Sequence, residues 1–164
     1  MNIKDGTFRL ELKSGEDKTI REITESTKFF YPDEVDVAEE LALINLDRGV
    51  KSEYKFLVYE IDNEIAGYTC YGHTACTKSS FDLYWIVTDN KYRGKGIGKK
   101  LFKETEKLVR DLGGKKIYIE TSSRELYFPT TQFYLSCGCK EEAIIKDFYD
   151  TGDHKIIFVK DVNI

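Results

Sequence analysis

The chain is short of the residues that mark secreted, membrane-bound or zinc-dependent proteins. Its four cysteines, Cys70, Cys76, Cys137 and Cys139, form no C-x-x-C pair, and the two histidines, His73 and His154, stand far apart. No metal site is expected from that spacing, and reduced thiols in the cytoplasm are the expected state. No apolar run reaches membrane-spanning length, and the first residues, MNIKDGTFRL, lack the apolar segment of a signal peptide. The expectation is therefore a cytoplasmic protein with no membrane partner. A cationic excess is also missing. The formal charge is −4 and the isoelectric point about 5.4, and Glu104 and Glu106 interrupt the basic run between Lys95 and Arg110. That balance argues against a nucleic-acid partner. With two prolines, no repeat and no low-complexity tract, nothing in the 164 residues reads as a linker, so one domain over 1–164 is expected.

What is present is most informative between residues 81 and 112, FDLYWIVTDNKYRGKGIGKKLFKETEKLVRDL. An apolar strand, a basic glycine-rich turn and an amphipathic helix follow one another. A helix start exposes backbone N–H groups without intrahelical partners, and its dipole favours negative charge. Gly94, Gly96 and Gly98 allow close approach of a ligand and unusual φ, while Arg93, Lys95, Lys99 and Lys100 add positive charge. A phosphorylated ligand is expected. A Walker loop is excluded, because Gly98-Lys99 has Arg93 where its first glycine belongs and Lys100 where a Ser or Thr belongs. The G-x-G-x-x-G dinucleotide pattern fails too, since the third glycine falls at Gly98 and not at position 99.

Arg93 to Gly98 reads R-x-x-G-x-G and resembles the acyl-CoA-binding signature of the GNAT acetyltransferase superfamily. The strand Tyr84 to Thr88 before the turn, the strand Lys116 to Thr121 after the helix, and Tyr134 in FYLSCG extend the resemblance over roughly residues 54 to 160. It implies an α/β fold, a single GNAT-like domain with a central mixed, largely antiparallel sheet of six to seven strands flanked by about four helices.

The element pattern agrees. Thr7 to Leu12 reads as a first edge strand. A helix follows with Ile20, Ile23 and Thr27 on one face, then a second from Pro32 to about Gly49 with Val37, Leu41 and Ile44 inward. Tyr54 to Ile61 and Ile65 to Tyr71 form a hairpin around Asp62-Asn63-Glu64. Ile97, Leu101, Phe102, Leu108, Val109 and Leu112 mark the apolar face of the helix after the glycine turn, and the strand that follows it is parallel to the one before. A last helix runs from about Pro129 to Gly138, and Ala143 to Tyr149 and Lys155 to Lys160 close the sheet.

The resemblance implies acetyl-CoA as cosubstrate, its pyrophosphate on the N–H groups of Arg93, Gly94, Lys95, Gly96, Ile97, Gly98 and Lys99, and its pantetheine arm along the backbone of Ile86, Val87 and Thr88. Tyr134 matches the family's tyrosine and is the candidate general acid for the departing thiolate; an ordinary tyrosine, with a pKa near 10, arrives protonated at neutral pH. Glu120 and Asp82, on the strands flanking the helix, are candidate general bases. Tyr127 stands where many of these enzymes carry a CoA-contacting asparagine, a departure from the pattern. Asp147, Tyr149 and Asp150 are candidate acceptor-lining residues. The expected activity is transfer of an acetyl group to a primary amine, of a small molecule or peptide, by direct attack in a ternary complex. The alternative is a non-catalytic acyl-CoA-binding or sensing domain. The closing strand, if exposed, is compatible with a homodimer.

Overall fold

The structure is a computed structural model that describes residues 5–162. Seven strands, β1 (Thr7–Arg9), β2 (Lys55–Ile61), β3 (Glu64–His73), β4 (Ser80–Thr88), β5 (Lys116–Ser122), β6 (Lys140–Asp150) and β7 (Asp153–Asp161), form a mixed sheet in the order β1-β2-β3-β4-β5-β7-β6. The helices are α1 (Glu16–Ser26), α2 (Pro32–Arg48), α3 (Ile97–Asp111) and α4 (Phe128–Ser136). The one parallel pairing described is β4 with β5; the β1–β2, β2–β3, β5–β7 and β6–β7 pairs are antiparallel. This is the mixed, largely antiparallel sheet with four helices that the sequence implied. The chain divides into two compact units. One takes the chain up to Gly72 together with Trp85–Thr105, and the other takes His73–Tyr84 together with the chain from Glu106 onward.

In the first unit, β2 and β3 are buried almost throughout, as strands covered on both faces must be. Asp62 and Asn63 join them with φ of 51° and 66°, the left-handed pair that a two-residue hairpin needs to match strand twist. Phe56 pairs with Cys70 and Val58 with Tyr68, so all four share a face. Ile20 and Ile23 of α1 and Ala38, Leu41 and Ala42 of α2 pack there with Val87. Val37 does not join them: it is 44% exposed, and Val35 and Ala38 turn inward instead. The first strand is also shorter than expected, ending at Arg9 and leaving Leu10 exposed. Arg9 ends it by pairing with Glu16 at the start of α1 and Glu60 of β2.

Two buried hydroxyl pairs fix the helices on this sheet. Thr24 Oγ1 donates to the Ile20 carbonyl at 2.6 Å, so its single proton is committed and Tyr68 Oη donates to Thr24 in the 2.6 Å contact between them. On the opposite face Thr69 of β3 and Thr105 of α3 are 2.8 Å apart. That face also carries a close backbone approach. A Cβ placed on Gly67 would lie 2.8 Å from the Val87 carbonyl oxygen, 3.0 Å from Leu101 Cδ1 and 3.3 Å from Ile97 Cγ2.

In the second unit Ile117, Ile119 and Thr121 of β5 are buried. Ile119 pairs with Phe158 of β7, and the Tyr134 ring of α4 lies 5.8 Å from that of Phe158, which identifies the face that α4 covers. β6 is the edge strand and is exposed along its whole length. Leu112, expected on the buried face of α3, is 52% exposed beyond the helix end.

Two expectations follow. Gly67→Ala should destabilise the protein by about 1–3 kcal/mol, because the added methyl overpacks against backbone rather than a yielding side chain; a melting curve checks this. Burial raises the pKa of Tyr68, Tyr71 and Tyr134, that of Tyr71 to about 12. The protons they hold favour the folded chain. That contribution is complete below the pH at which unfolded tyrosine titrates, near 10, and is lost progressively as pH rises through the native values. Urea titrations from neutral to strongly alkaline pH should show stability falling only beyond that point.

Candidate active site

The first unit holds every residue predicted to bind cofactor. β4 ends at Thr88, a turn of 3-10 helix covers Asn90–Tyr92, and α3 begins at Ile97. Asp89 N–H donates to the Ala66 carbonyl at 2.9 Å and the Asp89 side chain accepts from Lys91 N–H at 2.9 Å, so the strand end is tied to β3 before the turn starts. Gly94 and Gly96 take φ of 75° and 76°, and a Cβ built on either would meet nothing within 4 Å. Glycine is therefore required by backbone conformation, and the space beside it is open. Ile97 is buried and anchors the helix start, while Arg93 to Gly96 and Lys99 are exposed. The N-terminus of a long helix, preceded by an exposed basic turn, suits a pyrophosphate.

The cations are held in different ways. The Arg93 guanidinium lies 4.9 Å from the Phe29 ring centroid and Lys95 Nζ lies 5.2 Å from that of Tyr92. Both remain near the turn, pre-oriented by aromatic faces. Lys100 is drawn off elsewhere, to Tyr59 Oη at 3.2 Å and Asp5 at 3.1 Å. Val87 points into the core, 3% exposed, whereas Ile86 and Thr88 are half-buried. The ladder between β4 and β5 covers Ser80–Asp82 against Lys116–Tyr118, although β4 runs on to Thr88 and β5 to Ser122.

The second unit holds the three predicted catalytic residues. Tyr134 is 6% exposed, and burial pushes its phenol pKa well up, with lesser contributions from Cys139 and Cys137. Burial keeps the phenol protonated at neutral pH and also makes it a weaker acid than an exposed tyrosine. Glu120 carries a 56% exposed carboxylate whose Oε2 is 2.7 Å from Lys155 Nζ, itself nearly buried. Asp82 accepts from Thr74 Oγ1 at 2.7 Å. Glu120 pairs across β7 with Ile157, one residue out of phase with the Ile119–Phe158 rung under Tyr134. Glu120 and Tyr134 thus lie on opposite faces of the β5–β7 pair. Asp82, opposite Tyr118, shares the face of Glu120.

A polar cluster around Glu120 was only partly visible in the sequence. Lys155 Nζ sits 3.6 Å from the Phe148 ring centroid. Asp153 accepts from Ser122 Oγ at 2.5 Å and pairs with Arg124 at 3.3 Å, and Arg124 lies 5.2 Å from the Tyr127 ring centroid. Asp147 adopts φ of 53°, donates its N–H to His154 Nδ1 at 2.9 Å and accepts from Gly152 N–H at 2.7 Å. Asp147 and Tyr149, foreseen as acceptor-lining, belong to this cluster or its rim; Lys155, Asp153 and Arg124 were missed. The sequence signal for them was the alternation of charged residues at a strand end, which does not reveal its partners. Among the described residues no group of three or more His, Cys, Asp or Glu side chains gathers as a metal would require, and none of Cys70, Cys76, Cys137 and Cys139 forms a disulfide.

The sequence pattern of the acetyltransferase (GNAT) family matches residues 19–138, a span that runs through both units. Nothing among curated protein sequences matches the chain. Among solved structures, a GNAT-family protein from Desulfovibrio desulfuricans is 39% identical, with a TM-score of 0.94 over 96% of this chain and 99% of the other. The ribosomal-protein-S18-alanine N-acetyltransferase of Escherichia coli is 15% identical with a TM-score of 0.74, covering 97% and 95%. An aminoglycoside 6'-N-acetyltransferase complexed with coenzyme A is 16% identical with a TM-score of 0.74, covering 96% and 98%. The two distant structures share the fold, and the family pattern together with the nearer relative goes further: this chain belongs to the acetyltransferase (GNAT) family.

Proposed function

We propose that the protein is an N-acetyltransferase of one catalytic domain that uses acetyl-CoA as cosubstrate and passes the acetyl group to a primary amine by direct attack. The observation that carries this reading is the exposed turn Arg93 to Gly96, with two left-handed glycines, open space beside them and a helix start behind. Backbone N–H groups from Gly94 to Lys99 hold the pyrophosphate, with Arg93 and Lys95 supplying charge. The backbone of Ile86 to Thr88 binds the pantetheine amides as an added strand would.

Glu120, directly or through water, accepts a proton from the incoming ammonium; a carboxylate offers about four lone-pair sites, so pairing with Lys155 leaves capacity for this. Asp82, on the same face, is the second candidate base. Tyr134 gives its proton to the sulfur that leaves with the electron pair of the broken carbon–sulfur bond. The acceptor nitrogen, now bonded to the acetyl carbon, sheds a second proton that balances the one Tyr134 gave. The products are the amide and the CoA thiol, with one proton released, and no enzyme nucleophile takes part.

Two of the distant structures are named for an alanine of ribosomal protein S18 and for an aminoglycoside, so a first acceptor panel pairs alanine-ended peptides with aminoglycosides and polyamines. Calorimetry should show acetyl-CoA binding to the wild type and its loss in a folded Arg93→Ala, Gly96→Glu variant. Tyr134→Phe should lower kcat on the order of 10²-fold, the range for loss of a general acid, and leave acetyl-CoA affinity unchanged. Equal rates in Tyr134→Phe and wild type across pH would remove the phenol from the mechanism.

A further inference from the structure

The link between α1 and α2, residues 27–31, is fastened to the strand and turn that lead into the anion site. Ser26 Oγ donates to the Ile23 carbonyl at 2.7 Å and accepts from Asn90 N–H at 3.4 Å. The Phe30 ring meets that of Trp85 edge-on, with centroids 4.9 Å apart, and both rings pack against the core. Between these anchors Lys28 takes a φ of 58°. Thr27 Oγ1 gives its own proton to the Thr24 carbonyl at 2.8 Å and accepts from Phe29 N–H at 3.3 Å. A left-handed residue turns the chain and a side-chain hydroxyl holds the turn. Phe29 is thus placed by its own neighbours, with its ring centroid 4.9 Å from the Arg93 guanidinium.

A ring holds a cation differently from a carboxylate. Lys91 and Lys100, on either side of the turn, meet Glu64 at 2.6 Å and Asp5 at 3.1 Å, and those pairings offset their charge. Arg93 forms no ion pair among the described residues. An aromatic face attracts a guanidinium through its quadrupole, leaving the full charge and the in-plane N–H donors for a ligand. Arginine is long and rotamer-rich, so a ligand that must immobilise it loses affinity to that ordering. A platform that has already confined the side chain removes part of the loss.

We propose that Phe29 is a positioning residue for pyrophosphate recognition, acting through Arg93, and that it couples residues 27–31 to occupancy of the glycine turn. The assignment rests on the acetyl-CoA reading above. With Asn90 and Trp85 holding the ends of the segment and Arg93 its middle, a diphosphate that fixes Arg93 also steadies the Phe29 backbone. The coupling is reciprocal: whatever steadies residues 27–31 strengthens CoA binding by the same factor.

The test is a double-mutant cycle read by calorimetry with CoA, on wild type, Phe29→Leu, Phe29→Tyr, Arg93→Ala and the Phe29→Leu, Arg93→Ala pair, each checked for folding by thermal melting. Leucine keeps apolar bulk and removes the π face; tyrosine keeps the face. Phe29→Leu should weaken CoA roughly 2- to 10-fold, and Phe29→Tyr should bind as wild type does. Arg93→Ala should weaken CoA on the order of 10-fold, and adding Phe29→Leu to it should cost nothing further. Amide hydrogen exchange supplies a second readout that needs no change at Phe29: saturating CoA should slow exchange across residues 27–31 in wild type and not in Arg93→Ala. Wild-type affinity in folded Phe29→Leu overturns the assignment, as does an equal loss with and without Arg93, which would make the ring a merely structural support. Exchange that CoA leaves unchanged in wild type overturns the coupling. All three of those results leave the acetyl-CoA reading intact, whereas a folded wild type that binds no CoA overturns both.

Discussion

The approach of β3 to β4 at Gly67 is the constraint on which the rest of the first unit depends. With no side chain there, the Val87 carbonyl and the first residues of α3, Ile97 and Leu101, close onto the sheet. Asp89 N–H then bonds back to Ala66, and the chain between Asp89 and Ile97 has both ends fixed. The glycine turn is thus a loop of defined span set on a rigid base. Its two left-handed glycines are exposed directly before a helix start, and a loop held at both ends costs a ligand less ordering entropy than a mobile one. The Thr69–Thr105 bond, on the same face as Gly67, continues this attachment along α3.

The second unit is organised differently, by charge compensation. Glu120, Asp153 and Asp147 would repel one another at the ends of β5, β7 and β6. Lys155, Arg124 and the Gly152 N–H stand among them. Lys155 is nearly buried between a carboxylate and the Phe148 ring, an environment in which an unpaired ammonium would be expensive. On the other face of the same strands, Ile119 and Phe158 pack under the Tyr134 ring, and Lys160, opposite Ile117, donates to the Cys137 carbonyl at the end of α4.

Much of this was legible in the sequence because it rests on local rules. The Asp62-Asn63 hairpin, the proline-to-glycine limits of the last helix, the strand-turn-helix motif and the strand-helix-strand crossover all depend on neighbouring residues. The inward face of α2 was misread at Val37 because two of its contact positions are alanines, Ala38 and Ala42, which a search for large apolar residues passes over. Leu112 continues the apolar period of α3 but falls beyond the helix end. The hydroxyl pairs Thr24–Tyr68 and Thr69–Thr105 and the Glu120–Lys155 pair join residues distant in sequence, and no local pattern distinguishes a threonine with a buried partner from one on a surface. Lys100 read as part of the anion site for the same reason: its charge was visible, and its engagement with Tyr59 and Asp5 was not.

The central claim is that the backbone of the glycine turn holds the pyrophosphate of acetyl-CoA. It is tested most directly by following backbone amide resonances of isotope-labelled protein while CoA is added. The account predicts that the largest shifts fall on Gly94, Gly96, Gly98 and Lys99, with smaller ones along Ile86 to Thr88. Saturable binding that leaves those amides unmoved and shifts residues elsewhere would contradict it.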